Sequence, residues 1–178
     1  MDDATVEVRA AGRSDAVMLH LIAAATFPLA CVGTAQEDIQ QHIDQHLTVE
    51  RFREYAADPD RRLLVVEMNG TPAGYAMVNL ERTQNTDVLS LVSTSNTVEL
   101  VTFYLLAGRQ GSGLADLLMD AALAEARQAG AESVWLGVAD HNSRANTFYE
   151  RYQFARRGTK TFMVGSAALV DLIRERTL

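Results

Sequence analysis

The chain has 178 residues, 48% of them apolar and 22% charged, with a formal net charge of −7. That is the size of one domain, with ample apolar residues for a core. The acidic balance argues against a general binder of nucleic acid or membrane surfaces and is compatible with a cationic substrate. The single cysteine, Cys31, cannot form an internal disulfide and suits a reducing cytoplasm. The N-terminus lacks the basic start of a signal peptide, and the apolar run from Ala16 to Val32 holds His20 and Pro28 and falls short of a membrane span.

The alternation from Thr5 to Arg9 predicts a first strand. Ser14 or Asp15 can cap a helix running to about Thr26. Thr34-Ala-Gln-Glu37 spells a capping box and predicts a second helix through about His46. Thr48 is expected to cap a third, ending before Asp58-Pro59. Leu63 to Met68 and Ala73 to Leu80 read as two strands joined by an Asn69-Gly70 hairpin turn. Val98 to Leu106 is apolar on both faces, as expected of a buried central strand. Asp116 to Ala129 reads as a helix with Leu114, Leu117, Leu118, Ala121 and Ala122 as its core stripe and Gly130 as its stop. Val134 to Val138 is a strand, Asn142 caps the next helix, and Thr159 to Val164 ends the sheet. A short helix from Ala167 to Glu175 is expected to close the chain. The order predicts one mixed α/β domain, with an antiparallel first part and a strand–helix–strand unit at its centre.

The chemistry is spelled at the junction inside that unit. Gln110-Gly111-Ser112-Gly113-Leu114-Ala115 lies between an apolar strand and a helix. A helix start leaves backbone N–H groups unpaired, and the helix dipole favours an anion there, so the junction suits a phosphate or pyrophosphate. The glycines let the ligand's oxygens approach the backbone. The loop is not the ATP/GTP type, because no Lys-Ser or Lys-Thr follows Gly113. It is not the dinucleotide type either, because Asp116 stands where a third glycine belongs. It fits Q/R-x-x-G-x-G/A, with Gln110, Gly113 and Ala115.

About thirty residues on comes Asn142-Ser-Arg-Ala145-Asn-Thr-Phe148-Tyr149-Glu-Arg-Tyr152-Gln-Phe154. Together the two segments resemble the paired motifs of the GNAT superfamily of acyl-CoA-dependent N-acetyltransferases. The second has the family form N-x-x-A-x-x-F-Y-x-x-x-G-F, with Gln153 in place of its usual glycine. The resemblance implies the GNAT fold, a mixed and mostly antiparallel sheet flanked by helices, over the whole chain. It further resembles the PaiA branch of spermidine/spermine N-acetyltransferases. That likeness rests on Gly74-Tyr75, Glu99-Leu100, Tyr104 to Leu106, Trp135 to Val138, and Phe162 to Gly165 followed by Asp171. Gly137 stands where relatives that acetylate ribosomal-protein N-termini carry glutamate.

The resemblance implies coenzyme A, as acetyl-CoA, bound at its pyrophosphate by Gln110, Gly111, Ser112, Gly113, Leu114 and Ala115. Its pantetheine arm would lie along Tyr104, Leu105 and Leu106, with Asn142, Ala145 and Tyr149 on the facing helix. The oxyanion donor would be the Leu105 backbone N–H. Acetyl transfer to an amine also needs a neutral nucleophile and a protonated leaving thiolate. An alkylamine with pKa ~10.4 is neutral only about four times in ten thousand at pH 7, so a base helps. Glu99 is the candidate base, expected to share a strand face with Val101, Phe103 and Leu105, where desolvation would raise its pKa. Tyr149 is the candidate general acid, while Phe148 and Tyr152 are expected to pack the helix on the sheet. Phe27, Tyr75 and Asp140 are the acceptor-side candidates, although core packing also accounts for Phe27 and Tyr75. The His42/His46 pair reads as a solvated helix face, with no metal assigned. The expected partner is a small-molecule amine, such as a polyamine, with a homodimer as the family-like state. An acyl-CoA sensor, or an acetyltransferase for a protein N-terminus or an aminoglycoside, stands as the alternative.

Overall fold

The computed structural model describes residues 5–108 and 113–178. Their strands build one seven-stranded sheet in the order β1-β2-β3-β4-β5-β7-β6. The strands are β1 (Val6–Ala10), β2 (Arg61–Met68), β3 (Thr71–Asn79), β4 (Thr97–Leu105), β5 (Ser133–Ala139), β6 (Ala155–Val164) and β7 (Ala167–Thr177). All neighbours pair antiparallel except β4 and β5, which are parallel and joined by a crossover helix. The helices are α1 (Ala16–Thr26), α2 (Gln36–His46), α3 (Val49–Ala57), α4 (Thr86–Leu89), α5 (Leu114–Gln128) and α6 (Ser143–Arg151).

Several local expectations hold for the reasons that motivated them. Asn69 and Gly70 both take positive φ, 52° and 70°, which fits the twist of a tight hairpin. Thr48 Oγ1 accepts the Arg51 N–H at 3.2 Å and caps α3. Asn142 Oδ1 accepts the Ala145 N–H at 3.1 Å and caps α6. Gln153 takes φ 63°, so its position needs a left-handed backbone, the conformation glycine adopts without strain.

Other expectations are corrected. The segment from Ala167 is strand β7, not a helix. Gly165, at φ 57°, turns the chain back on β6, and β7 then fills the place between β5 and β6. Two rows of sheet hydrogen bonds outweigh the helix propensity of Ala, Leu, Arg and Glu. Thr34 does not cap α2; Ala35 occupies that place without a side-chain bond, and Thr34 Oγ1 is buried without a partner among the described residues. Asp15 precedes α1, yet its carboxylate accepts from Gly12 N–H at 2.8 Å and from Arg9 instead. Leu117 is 46% exposed, so the α5 stripe runs through Leu114, Leu118, Met119, Ala122, Leu123 and Ala126. Helix α4, capped by Asn85, is too short to carry a periodic signal.

One core packs α5 and α6 on one sheet face, through Leu114, Leu118, Val98, Leu100, Leu136 and Tyr149. A second packs α1 and α3 on the other face, through Leu19, Phe52, Val65, Tyr75 and Met77. Buried Arg174 ties α6 to the sheet: its guanidinium donates to Asn146 Oδ1 at 2.8 Å and to the Phe154 carbonyl at 3.0 Å.

Candidate active site

Strand β4 is held differently at its two ends. At the start, Thr97, Val98 and Glu99 pair with Ser133, Val134 and Trp135 of β5. There the parallel ladder stops, although β4 runs on to Leu105 and β5 to Ala139. On its other side β4 stays paired with β3 as far as Leu105. The end of β4 therefore has one bonded edge and one open edge. Leu106 N–H donates to the Ala73 carbonyl of β3 at 2.9 Å. Successive N–H groups of a strand point to opposite edges, so the Leu105 N–H faces the gap. Gly74 permits the tight approach of β3 here: a Cβ on it would run into the Tyr104 carbonyl oxygen and the Leu105 side chain.

A bulge sets which side chains reach which face. Met77 pairs with Thr102 and Val78 with Leu100, leaving Val101 as the extra residue. Past it the alternation is inverted. Phe103 and Leu105 pack with Val98 and Leu100 against α5 and α6. Glu99 lies opposite Asn79, in line with Thr102 opposite Met77 and Tyr104 opposite Tyr75. So Glu99 does not share a face with Phe103 and Leu105, as the strict period of two implied; it belongs with Thr102 and Tyr104.

Glu99 is half-buried. Burial raises its pKa above the usual carboxylate value, against the opposing pull of Lys160 and Arg61. It makes no hydrogen bond or ion pair with a described residue. Tyr149 is 8% exposed and deeper than Phe148 and Tyr152, which also pack this helix. Its ring meets Phe103, Phe148 and Phe154 at centroid distances of 6.4, 5.6 and 5.8 Å. Burial, with the nearby Tyr104, raises its phenol well above the ordinary value, which keeps it protonated at neutral pH. Tyr104 is raised too, by burial and then by Cys31 and Asp171.

At the head of α5, Gly113 takes φ 77° as the residue before the helix. A Cβ there would meet nothing, so backbone conformation rather than crowding calls for glycine. The N–H groups of Leu114, Ala115 and Asp116 open the helix without intrahelical partners. Asp116, an unfavourable charge beside an anion, is paired with Arg151 at 2.6 Å. Gln110, Gly111 and Ser112 lie outside the described residues. Ala145 and Asn142 stand at the first turn of α6, Asn142 as its cap.

The acceptor-side residues are less uniform. Tyr75 is 1% exposed, edge-on to Phe52 and Tyr104, so it reaches the gap only through Tyr104. Phe27 is buried and stacks on His42 at 4.6 Å. His42 also meets His46 and Phe162, so His42 is partly buried in an aromatic cluster, while His46 is exposed as a solvated face implies. Burial, then His46, lowers the His42 pKa. Asp140 is exposed beside His141. Asp171, on the same side of the gap, was legible in the sequence only as part of the family likeness; its place comes from the β5–β7 register.

Among the described residues no group of three His, Cys, Asp or Glu is placed to hold a metal, and no helix is long and apolar enough to cross a membrane. The family model of the GNAT acetyltransferases matches residues 29–154. An uncharacterized N-acetyltransferase of Mycobacterium tuberculosis is 41% identical over 166 residues, covering 93% of this chain and 99% of that one. Among solved structures, the PaiA N-acetyltransferase of Thermoplasma acidophilum, crystallised with coenzyme A, superposes with a TM-score of 0.73 at 19% identity, over 98% of this chain and 99% of that one. The yncA protein of Salmonella typhimurium, with acetyl-CoA as its cofactor, superposes at 0.64 with 20% identity, over 97% and 94%. The open edge of β4, the glycine-led head of α5 and these likenesses agree: the chain belongs to the GNAT family of acetyltransferases.

Proposed function

We propose that this chain transfers acetyl from acetyl-CoA to a primary aliphatic amine by direct attack in a ternary complex, with a polyamine such as spermidine as the acceptor class. The observation that carries the reading is the parting of β4 from β5 after Glu99 and Trp135. It leaves main-chain donors on an open strand edge, in the strand that precedes helix α5 in the chain. The described residues fit the cofactor. Gly113, Leu114 and Ala115 would hold the diphosphate by backbone N–H groups at the helix start, and the motif assigns Gln110, Gly111 and Ser112, outside the described residues, to the same group. Tyr104, Leu105 and Leu106 receive the pantetheine arm as an added strand, and Asn142 and Ala145 line it from α6. Acetyl-CoA supplies the activated acetyl group.

The chain's own residues do the rest. The Leu105 N–H donates to the acetyl carbonyl oxygen as negative charge builds on it. Glu99 takes the proton of the attacking amine through water, its raised pKa making it a stronger base than an ordinary carboxylate. Tyr149, kept protonated by burial, donates its proton to the departing thiolate. The single cysteine and acidic balance support a cytoplasmic protein.

Thiol release from acetyl-CoA, followed over a panel of spermidine, lysine and a peptide, tests the reading. Amine-dependent release with spermidine as a preferred acceptor is the expected result. Cofactor binding without amine-dependent release would mark a sensor instead.

A further inference from the structure

Asp171 is a charged side chain that the chemistry above leaves unused. On β7 it stands opposite Ala139 of β5 on one side and Lys160 of β6 on the other. Its carboxylate leans over Gly137, where a Cβ would lie 3.2 Å from Asp171 Oδ2. Gly137 is exposed, although β5 is an interior strand and its neighbours Leu136 and Val138 are buried. An exposed residue in that place requires an opening in the layer above it. Glu99 of β4 stands opposite Trp135 and Asp171 of β7 opposite Ala139, so the two carboxylates lie on the same sheet face, one on each side of the stretch of β5 that holds Gly137.

The rim is electrically unfinished. Asp171 is half-buried, yet it makes no hydrogen bond or ion pair with a described residue. Lys160 is its cross-strand partner in register, but the ammonium forms no ion pair with it. Burial raises the Asp171 pKa, with Asp140 adding to the rise and Lys160 and His141 opposing it. Tyr104, on the open end of β4, is near enough to feel its charge. A partly desolvated carboxylate that makes no hydrogen bond or ion pair with a described residue has room to accept a cationic group from a ligand.

We propose that Asp171 binds a second, charged nitrogen of the acceptor, so that the preferred substrates are aliphatic amines with two cationic nitrogens. The inference rests on the N-acetyltransferase reading. Glu99 and Asp171 then divide the work: Glu99 faces the nitrogen that must lose its proton, and Asp171 the one that keeps it. Gly137, with no side chain, leaves the Asp171 carboxylate uncrowded from below. Asp171 is a specificity residue and takes no part in bond making.

The test uses the full chain with acetyl-CoA and a matched pair of acceptors, 1,4-diaminobutane and n-butylamine. The wild type should favour the diamine in kcat/KM by roughly fivefold, the upper end for one partly exposed ammonium–carboxylate contact. In Asp171→Asn that preference should vanish through the KM of the diamine. The rate on n-butylamine, the KM for acetyl-CoA and the melting temperature should stay unchanged, and Asp171→Glu should retain much of the preference. Gly137→Val, which adds a side chain beneath that carboxylate, should raise the KM of both amines. Equal use of both amines by the wild type, or an undiminished diamine preference in Asp171→Asn, overturns the inference alone. No thiol release with any amine overturns the acetyltransferase reading and this inference with it.

Discussion

Glu175 and Asp171 are carboxylates on the same strand and the same sheet face, and they are treated in opposite ways. Glu175 is 1% exposed and closes the tight end of the β4–β5 pair. It accepts from Ser133 Oγ at 2.8 Å, from Ser93 N–H and Oγ, and from Arg157 Nε at 2.8 Å. Burial alone would raise its pKa, but those donors outweigh burial and hold it below the usual value. Asp171, at the open end, has no such donors and moves upward. A saturated buried carboxylate contributes to structure, whereas a partly buried one left without partners is available to a ligand.

The largest effect that would break this contrast is at the closed end. Glu175→Gln should lower the unfolding free energy by about 3 kcal/mol, because it strips charge from a site built of donors. The sign with pH follows from the lowered pKa. The Glu175 contribution is complete above the unfolded value of 4.5 and is lost as pH falls through the lower folded value. Denaturant unfolding should therefore show a flatter acid limb in the variant. A wild-type midpoint would end the claim that this end is held by Glu175.

At the open end the cost should fall on catalysis instead. Glu99→Gln and Tyr149→Phe should each lower kcat about 100-fold, close to 2.7 kcal/mol of barrier, while leaving stability within about 1 kcal/mol. Glu99→Gln should also remove the acidic limb of the kcat/KM–pH profile. Unchanged turnover in either variant rejects the corresponding role. Asp171→Asn sharpens the comparison further. Its raised pKa means that ionisation is unfavourable in the fold, a penalty that grows as pH rises from 3.8 through the folded value. The variant should match or slightly exceed the wild type in urea at pH 7. A loss of 2 kcal/mol or more there, on the scale expected for a buried ion pair, would make Asp171 structural, like Glu175. The smallest effect lies away from both ends. Gln153→Gly should stabilise by about 1 kcal/mol by relieving a left-handed backbone, read as a higher melting temperature with unchanged kinetics.

The residues proposed to hold the cofactor could be named from the sequence because main-chain recognition leaves a spelling. Glycines, a helix start and a cap have fixed offsets along the chain, as Gly113 and Asn142 show. The residues proposed for the acceptor had no such spelling. They stand on β4, β5 and β7, which are neighbours only through the sheet order. Glu99 illustrates the limit: its presence could be read, but its face could not, because one bulged residue, Val101, inverts the alternation that sequence reasoning relies on.

By itself the sequence settled the family, the helix starts capped by Thr48 and Asn142, the Asn69-Gly70 hairpin and the strand–helix–strand centre. These depend on contacts between residues close in the chain. Tertiary structure alone decided that the last segment is strand β7, that β5 accepts it as a neighbour, and that Asp171 overhangs Gly137. Long-range pairing satisfies backbone groups that local propensity cannot see, and it sets which distant side chains share an opening.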